Sequence, residues 1–497
     1  VGGATETVTV TDATPLVDTA TANIAGTIST NQIQNMPSFG RDVFKLVQLA
    51  PGVFSSGAQD AGGGGFRMPG SQGPAGTGGA TGIFQTENGP QASAVGQQYE
   101  NNSYSIDGVN TTSAVWGGTT IITPTQDSVS DVKVLSNSYD AEYGRYSGAQ
   151  VQVTTKSGTN RFHGSIFSNF HRPGLNAYQP TWIRPDGSKN TPIRDNSFFT
   201  QVGGSIGGPI WKDKIFAFFA YETNRVPAGA IRTDTKWYET AAFRQSAPNG
   251  SIAAQYLNFP GAAVNSVSLS PESTCANAGL NEGVNCRTIS GQGLDIGSPL
   301  TSGLGMQDPN WTDAQNPGLG NGLDGVADIA YYNTQNRTHS VFNQYTGRVD
   351  ANLTNKDRLA FSMYWVPQSS TSLNGPARDY NLFNHDQVNN AFALIWNRTF
   401  SPSFLNEFRF NAAGWRWNEV ESNPQSPVGL PSAYIERIGS IELEKFGPNV
   451  GSILNQWTYA WKDVATKVTG RHTIKFGGEL TRLFYLNAVS YATTPSY

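Results

Sequence analysis

The chain has 497 residues, of which only 14% are charged, and its net charge is −4. Its length allows two or three domains. Acidic residues slightly outnumber basic ones, so the protein has no overall positive potential to attract nucleic acid. This excludes a nucleic-acid-binding protein. No run of eighteen or more apolar residues occurs, which excludes a transmembrane helix. Membrane-spanning strands remain allowed, because their apolar residues alternate with polar ones.

The first 30 residues are rich in Thr, Val and Ala and lack the charged and apolar regions of a signal peptide. We therefore expect the chain to begin after processing or inside a longer protein. Glu6-Thr7-Val8-Thr9-Val10 is a short β-prone run within this stretch. By itself it is compatible with an ordinary first strand or with the end of an upstream domain.

Two short helices are predicted next. The first lies within Ile28–Pro37, with Ser29 or Thr30 as N-cap, and the second spans Arg41–Leu49. Residues 61–89 are too rich in glycine to form a core. No Gly-Lys-Ser/Thr follows these glycines, so a phosphate-binding loop is excluded. We interpret them as a flexible loop.

Residues 93–156 predict a small β-rich unit in which Asp107-Gly108 is a turn between two strands. A catalytic acid at Asp107 is disfavoured, because no His or paired carboxylate stands at a matching spacing. Two motifs in this unit are Ser105-Ile-Asp-Gly-Val109 and Tyr143-Gly144, the latter followed by Gly148-Ala-Gln-Val-Gln-Val-Thr-Thr-Lys156. They resemble the plug-domain signatures of TonB-dependent outer-membrane receptors. The lead-in Ala94-Val-Gly-Gln97, followed by Asn101-Asn102, is most similar to the Oar-like branch of that family.

This resemblance implies an N-terminal α+β plug domain at residues 13–158 and a barrel at 159–497. It also implies that Glu6, Thr7, Val8, Thr9 and Val10, within a flexible segment 1–12, form a TonB box. Such a box pairs as an added strand with the periplasmic domain of a TonB-like energy-coupling protein. The plug motif positions are Asp107, Gly108, Tyr143, Gly144 and Gly148.

Two charged residues, Glu142 and Arg145, flank Tyr143-Gly144. One interpretation is that they form ion pairs with the barrel wall and hold the plug in place. The alternative is that both are solvated surface charges.

From Arg161 onward apolar residues recur at every second position, which is the period of a strand with two different faces. In 388–400, for example, Val388, Phe392, Trp396 and Phe400 oppose Asn and Ala residues. Strands of about ten residues or more cross a bilayer at a tilt, and large aromatic residues suit a lipid-facing surface. Soluble sandwiches use strands of about five or six residues. The polar parity includes Arg348, Asp350, Tyr364, Glu407, Arg409, Asn411, Lys475 and Glu479.

The connections between these strands alternate in length. Tight turns are predicted at 211–214, 354–357, 401–403 and 469–472, and long extracellular loops at 227–337, 367–386 and 420–455. Short turns on one side and long loops on the other are typical of outer-membrane barrels.

The pattern predicts about nine strands, whereas plugged transporters have 22. We therefore predict a mainly β protein, an outer-membrane antiparallel β-barrel that is incomplete in this chain, and we favour an N-terminal portion of a longer protein. The strands are predicted at 161–171, 197–210, 215–226, 338–353, 358–367, 387–400, 404–418, 456–468 and 473–486.

The long loop 227–337 contains the two cysteines of the chain, Cys275 and Cys286. We interpret them as a disulfide formed in an oxidising compartment, with two unpaired thiols as the alternative. Calcium binding by the acidic residues of this loop is disfavoured, because Gly320 and Gly322 stand where an EF-hand needs oxygen ligands. Those acidic and amide residues are Asp308, Asp313, Asn321, Asp324 and Asp328. No metal or cofactor is predicted.

The function that the resemblance implies is energy-coupled uptake of a small-molecule or oligomeric ligand, such as a carbohydrate or a peptide, across the outer membrane of a Gram-negative bacterium. The alternative is a surface-anchored structural or adhesion protein with a static plug. An enzyme is not indicated, because no Ser or Cys nucleophile constellation surrounds the five scattered histidines. The expected partners are outer-membrane lipid, the ligand and the TonB-like protein.

Overall fold

In the computed structural model the described part of the chain comprises residues 24–36, 41–55, 92–98, 101–114, 118–137, 143–175, 199–296, 323–373, 376–421 and 452–489. These residues form a small sheet near the N-terminus and a large sheet after it. None of the helices formed by these residues has the length and apolar character needed to cross a membrane. Glu6–Val10, Glu142 and the glycine-rich residues 61–89 lie outside the described residues.

The small sheet has the strand order β1-β6-β7-β4-β5. Strands β4 and β7 are parallel and the other neighbours are antiparallel. A separate pair, β2 and β3, is antiparallel. The bounds are β1 (Ile24–Ser29), β2 (Val53–Ser55), β3 (Ala92–Ala94), β4 (Ser103–Ile106), β5 (Val109–Asn110), β6 (Val129–Asn137) and β7 (Gln150–Thr155).

Both predicted helices are present. The first, α1 (Thr30–Asn35), begins with a capping box, in which the Ser29 hydroxyl and the Gln32 side chain each accept a hydrogen bond from the other's backbone N–H. The second is a 3₁₀ helix at Val43–Leu49, capped by the Asp42 carboxylate, which accepts from the N–H of Phe44 at 2.9 Å. Another 3₁₀ turn, Gln126–Ser128, precedes β6.

The predicted turn at Asp107-Gly108 is confirmed as a two-residue hairpin between β4 and β5. Its residues have φ angles of 49° and 79°. Positive φ at both central positions is the geometry of a type I′ turn, which Asp-Gly favours because glycine has no Cβ and aspartate tolerates this region. We call β4, the turn and β5 the Asp107 hairpin.

The nine predicted long strands are all present in the large sheet, in the order β8-β9-β10-β14-β15-β16-β17-β18-β19. Each neighbouring pair is antiparallel. Within the described residues β8 and β19 are the outer strands, so the sheet is open. The bounds are β8 (His163–His171), β9 (Phe199–Trp211), β10 (Ile215–Glu239), β11 (Ser266–Leu269), β12 (Cys286–Ile289), β13 (Gly293–Ile296), β14 (Ile329–Asn352), β15 (Asp357–Leu373), β16 (Leu382–Ser401), β17 (Phe404–Glu421), β18 (Ser452–Thr469) and β19 (His472–Val489).

The predicted alternation separates the two faces of this sheet. In β16, Asn389, Ala391 and Ala393 are buried, whereas Trp396 and Phe400 on the other parity are 38% and 49% exposed. Aromatic and aliphatic side chains are likewise exposed along the outer parity of neighbouring strands, because none of the described elements covers that face. These side chains include Phe361, Trp365, Trp461, Phe476, Leu480 and Phe484.

Several large aromatic residues depart from this rule, and two of them lie in β17. Trp415 and Trp417 lie on the buried parity of β17 and are almost inaccessible to solvent. Together with Tyr364 and Leu454 they join the hydrophobic core of the small sheet. The small sheet therefore packs directly against the polar-parity face of the large sheet.

The alternation of short turns and long connections is confirmed, but the long loops are shorter than predicted. Strand β10 continues to Glu239, and strand β14 already begins at Ile329. The connection between them is therefore 240–328 and not 227–337. The second connection is 374–381, whereas residues 422–451, which contain most of the third predicted loop, lie outside the described part of the chain. The pairing of β10 and β14 stops at Val226 and resumes at Ala230. Backbone hydrogen bonds extend these strands where the apolar alternation has ended, so side-chain periodicity underestimates their length.

The connection 240–328, which we call the insertion, has its own structure. It contains α2 (Ala241–Ser246), α3 (Ile252–Leu257) and β11 to β13, of which β11 and β13 pair with β14. Cys275 and Cys286 form a disulfide with Cα atoms 5.9 Å apart, and they share a small core with Trp237. Trp237 and Tyr238, which fall inside the predicted loop 227–337, are instead buried on β10.

Candidate functional site

The best-connected contact between the two sheets is the Asp107 carboxylate. One oxygen accepts from the N–H of Thr155 at 2.9 Å and from Nη1 of Arg348 at 3.2 Å. The other accepts from Oγ1 of Thr155 at 2.5 Å and from Oη of Tyr364 at 3.1 Å. Thr155 belongs to the small sheet, whereas Arg348 and Tyr364 belong to β14 and β15. The turn thus presents one carboxylate to both sheets.

Arg348 bridges this contact to its own strand. Its guanidinium forms two hydrogen bonds of 2.9 Å with Asp350 and also donates to the carbonyl oxygen of Thr155 at 3.2 Å. The Asp107 side chain is 5% exposed and the Arg348 side chain 19%. An ion pair at this depth interacts more strongly than a surface pair, because water screens it less.

Gly108 is held from the other side of the hairpin by β17. Asn411 donates to the Gly108 carbonyl oxygen at 3.1 Å. A Cβ atom at Gly108 would collide with the guanidinium of Arg409, which is itself anchored to Glu407 at 2.6 Å. Glycine is therefore favoured here by its positive φ, and a larger side chain would also displace the guanidinium of Arg409.

The remaining motif positions lie in different settings. Gly148 is tightly packed, since a Cβ would collide with Asn102 and with the Asn101 backbone. A Cβ at Gly144 would meet no atom within 4 Å, and the structure provides no steric reason for a glycine there. The ring of Tyr143 lies 6.0 Å from Nζ of Lys462 on β18.

Arg145 reaches the large sheet at β19. Its Nη2 atom lies 3.2 Å from Glu479 and 2.6 Å from Oγ1 of Thr481. The Arg145 and Glu479 side chains are 51% and 38% exposed. An ion pair this accessible contributes little to stability, because water and salt screen it.

A third contact, not predicted from the sequence, involves Arg41. Its guanidinium is paired with Asp127 and lies 3.7 Å from the ring centre of Phe167 on β8. Asp127 also accepts from the Ser165 hydroxyl at 3.0 Å. Arg41 and Asp127 are 86 positions apart in the sequence, so no local pattern connects them. By contrast, the alternation did place Arg348 and Tyr364 on the face that meets the small sheet.

A cavity of about 880 Å³ lies between the Asp107 hairpin and the large sheet. Leu405 and Thr466, at the ends of β17 and β18 next to the short turns, line one part of it. The cavity wall is rich in hydroxyl, amide and charged groups. The hairpin contact is therefore polar at this end of the large sheet, whereas the Trp415 and Trp417 contact further along β17 is apolar.

On the opposite end of the sheet, the last residue of β10, directly before the insertion, is joined to residues 376–381 by a buried ion pair. Arg378 forms two hydrogen bonds of 2.8 Å with the Glu239 carboxylate, and both side chains are almost fully buried. The N–H of Ala377 donates to the Tyr238 hydroxyl at 2.8 Å. Asn265 also donates to the carbonyl oxygen of Ala377 at 2.8 Å. Two long connections thus form one assembly.

The insertion also contains acidic residues. Asp324 and Asp328 are described, whereas Asp308, Asp313 and Asn321 lie outside the described residues. Across the described ranges no group of three or more His, Cys, Asp or Glu side chains is arranged to hold a metal ion.

Asp328 is expected to make the insertion less stable as the pH rises. Burial raises the pKa of its carboxyl to about 7, although the N–H of Ile296 opposes this effect by donating to it at 2.8 Å. Asp295 and Asp324 raise the pKa further. An unfolded aspartate has a pKa of about 3.9. The stability that the protonated Asp328 carboxyl contributes to the insertion is therefore complete below about pH 4 and is lost as the pH rises to about 7. The loss is at most about 4 kcal/mol.

The Asp328→Asn variant is therefore expected to be more stable than the wild type at pH 8 and similar to it at pH 4. The measurement is the rate at which a phosphine reduces the buried Cys275–Cys286 disulfide at each pH, since reduction requires opening of the insertion. Glu272→Gln, whose side chain is exposed and does not contribute to the pKa shift of Asp328, is the control. Equal pH dependence in both variants would show that Asp328 is not responsible.

Known proteins resemble this chain in sequence and in fold. Residues 154–495 match the family described as "Outer membrane beta barrel domain". A stretch of 158 residues is 33% identical to the TonB-dependent transporter Oar of Myxococcus xanthus, and it covers 30% of this chain and 15% of that protein. The outer membrane transporter YddB from Escherichia coli matches with a TM-score of 0.52 and 10% identity over 92% of this chain and 48% of its own. The siderophore receptor PirA from Acinetobacter baumannii matches with a TM-score of 0.45 and 13% identity over 93% and 48%.

The chain spans about half the length of these solved structures and a smaller part of Oar. At 10% identity the likeness to YddB shows the fold alone. The family match covers more than half of the 497 residues. The predicted fold class and the predicted location are thereby confirmed. The chain belongs to the outer-membrane β-barrel domain family.

Proposed function

We propose that this protein takes up a ligand across the outer membrane, driven by a TonB-like protein of the periplasm. In this proposal residues 13–158, which contain the small sheet, are the plug, and residues 159–497 are part of the barrel wall. The ligand binds among the outer loops and the plug apex. A carbohydrate or a peptide suits the aromatic and Asn-rich character of these loops.

The observation that carries the proposal is the Asp107 hairpin. It is docked on the wall by a small number of hydrogen bonds and one ion pair beside a polar cavity. When the hairpin moves, water can replace these polar contacts at a net cost of about 0.5–1.5 kcal/mol for each hydrogen bond, whereas separating an apolar interface exposes hydrocarbon. A gate that opens and closes requires a contact of the first type.

The position of β1 supports coupling from the N-terminus. β1 is an edge strand of the small sheet and pairs only with β6 in the described part of the chain. A pull on the segment before Ile24 would therefore act first on a strand that can detach without breaking the pairing of β6, β7 and β4. We assign the TonB box to Glu6–Val10.

A second candidate function, a static plug in a surface-anchored protein, is favoured by one observation. Trp415, Trp417 and Leu454 of the wall share a continuous hydrophobic core with the small sheet. This contact resists displacement of the whole plug, because buried apolar surface would be exposed to water. The two functions differ in whether the N-terminal segment is needed.

We expect deletion of residues 6–10 to abolish uptake while leaving the protein inserted in the membrane. The single substitution Val8→Pro should have nearly the same effect, since proline removes the N–H that an added strand needs. Val8→Thr, which keeps the N–H and the β-propensity, is the matched control. The measurement is depletion of a pooled nutrient medium by mass spectrometry, in a strain that lacks the native gene and carries each variant.

Transport would be refuted if the deletion variant removed the same compounds from the medium as the wild type. Equal surface display of all variants, tested by protease accessibility on intact cells, is needed to exclude failed insertion. A phenotype in adhesion with no change in any nutrient would favour the static plug.

A further inference from the structure

Two arginines occupy lipid-facing positions of the large sheet. Arg416 lies on the outer parity of β17, six positions after Phe410, and its side chain is exposed. Arg482 lies on the outer parity of β19, two positions after the exposed Leu480, and its side chain is also exposed. Across the described residues neither guanidinium forms a hydrogen bond, an ion pair or a cation–π contact. The nearest carboxylate in register, Asp386 on β16, is diagonal to Arg416 and does not pair with it.

Cations at the other end of the same face have partners within the protein. Next to the short turns, Nη1 of Arg398 lies 3.3 Å from the Asp357 carboxylate. Nζ of Lys467 donates to the Ser403 hydroxyl at 3.0 Å. The outer face thus satisfies its cations beside the short turns and leaves two guanidinium groups open at the end of the long connections.

The height of the two arginines on the wall follows from strand geometry. Arg482 is ten positions beyond His472, where β19 begins, and Arg416 is twelve beyond Phe404, where β17 begins. At about 3.3 Å per residue and a tilt of about 40°, these separations are about 25 Å and about 30 Å along the membrane normal. The apolar band of an outer-membrane barrel is about 25 Å tall, and its short turns face the periplasm. Both arginines therefore lie at the level of the lipid headgroups of the outer leaflet.

Between the two arginines, β18 provides an aromatic surface and an open amide. Tyr459 is in register with Arg482, and its ring stacks on that of Trp457 with centroids 5.9 Å apart. Asn455 is in register with Arg416. Its side-chain oxygen is shielded from solvent and accepts no hydrogen bond from the described part of the protein. The three strands thus combine two unpaired donors, one unpaired acceptor and a pair of aromatic rings.

We propose that Arg416 and Arg482 bind the phosphate groups of a glycolipid in the outer leaflet. A guanidinium group matches phosphate oxygens with paired N–H donors, and such charge-assisted hydrogen bonds are strong. The Asn455 oxygen accepts from a sugar hydroxyl, and the acyl chains lie along the aromatic side chains below. A lipid-facing arginine is costly without an anionic partner, and a lipid phosphate at this level provides one. The site is on the outside of the wall, so it goes beyond the proposed uptake function and does not depend on it.

The test measures binding of lipid A, a glycolipid with two phosphates, to the purified full-length protein in dodecyl maltoside, an uncharged detergent. Native mass spectrometry reports the fraction of protein with bound lipid. Arg416→Gln with Arg482→Gln should weaken binding by about thirtyfold, which corresponds to about 1 kcal/mol for each arginine near an anionic lipid. The matched control is Arg398→Gln with Lys467→Gln, which removes two cations from the same face at its other end and should bind like the wild type.

The same lipid without its phosphates should bind the wild type as weakly as lipid A binds the arginine variant. Equal binding of the two lipids, or an equal loss in the control variant, would overturn the proposal. Excess inorganic phosphate should displace little lipid A, because it has no acyl chains to contact Trp457 and Tyr459. Complete displacement would assign the arginines to a soluble anion and overturn the lipid site.

Lipid binding is measured without transport. Its failure would leave the uptake proposal intact, and uptake that persists in Val8→Pro would leave the lipid site intact.

Discussion

Replacing Asp107 with alanine is expected to release the hairpin from the barrel wall. The substitution removes four hydrogen bonds and leaves the guanidinium of Arg348 and the hydroxyl of Tyr364 without their common acceptor. Loss of one partner of a buried ion pair costs about 3–5 kcal/mol. We expect the lower part of this range, about 3 kcal/mol, because Arg348 keeps Asp350 as a partner. Alanine also fits poorly at a φ of 49°.

The measurement is amide hydrogen exchange of β4, β5 and β7 in the full-length protein, where local opening should become about a hundredfold more frequent. Asp107→Asn is the matched control. It keeps an acceptor oxygen and tolerates the turn conformation, so its effect should be about 1 kcal/mol. Exchange in β1, which does not contact the carboxylate, should remain unchanged in both variants. If Asp107→Ala left exchange in β4 and β5 unaltered, the hairpin would not depend on this carboxylate.

A substitution of the neighbouring residue tests the same contact by a different physical route. Gly108→Val places a side chain against the guanidinium of Arg409 and forces a β-branched residue into positive φ. Gly108→Val removes no charge. If hydrogen exchange of β4 and β5 rises in both Gly108→Val and Asp107→Ala, the effect would be assigned to docking of the hairpin itself. Uptake should be altered in both, since each displaces the element that we propose as the gate.

The second large effect is expected at Arg378. Its replacement by methionine leaves the Glu239 carboxylate, which is 1% exposed, without its bidentate partner. The cost should be about 3–5 kcal/mol, reduced to the extent that Arg244, 3.2 Å from Glu239, takes its place. The hydrogen bonds from Ala377 to Tyr238 and from Asn265 to Ala377 should then open with it.

Hydrogen exchange of residues 261–269 and 376–381 reports this opening. The double variant Glu239→Leu with Arg378→Met should be less destabilised than Arg378→Met alone, because no buried charge is left behind. Glu272→Gln is the control within the insertion, since it removes a charge from an exposed side chain. Equal protection in Arg378→Met and Glu272→Gln would show that the buried pair does not join the two connections.

Much of the fold followed from local patterns. The two-residue period placed all nine long strands, because side chains of a strand point alternately to its two faces. Ser29 and Gln32 marked a helix start, and Asp107-Gly108 marked a turn, since each depends on neighbouring residues only. The ends of β10 and β14 were missed, because backbone pairing continues there without an apolar face.

The sequence alone determined which side chains face lipid and which face inward, since that choice is made by the alternation within each strand. Only the tertiary structure decided which inward groups meet: Asp107 finds Arg348 and Tyr364 across more than two hundred residues, and Glu239 finds Arg378 across 139. Such pairs depend on the register of strands far apart in the chain. Trp415 and Trp417 show the same limit, because their large apolar side chains favour the lipid face and only the core of the small sheet explains their burial.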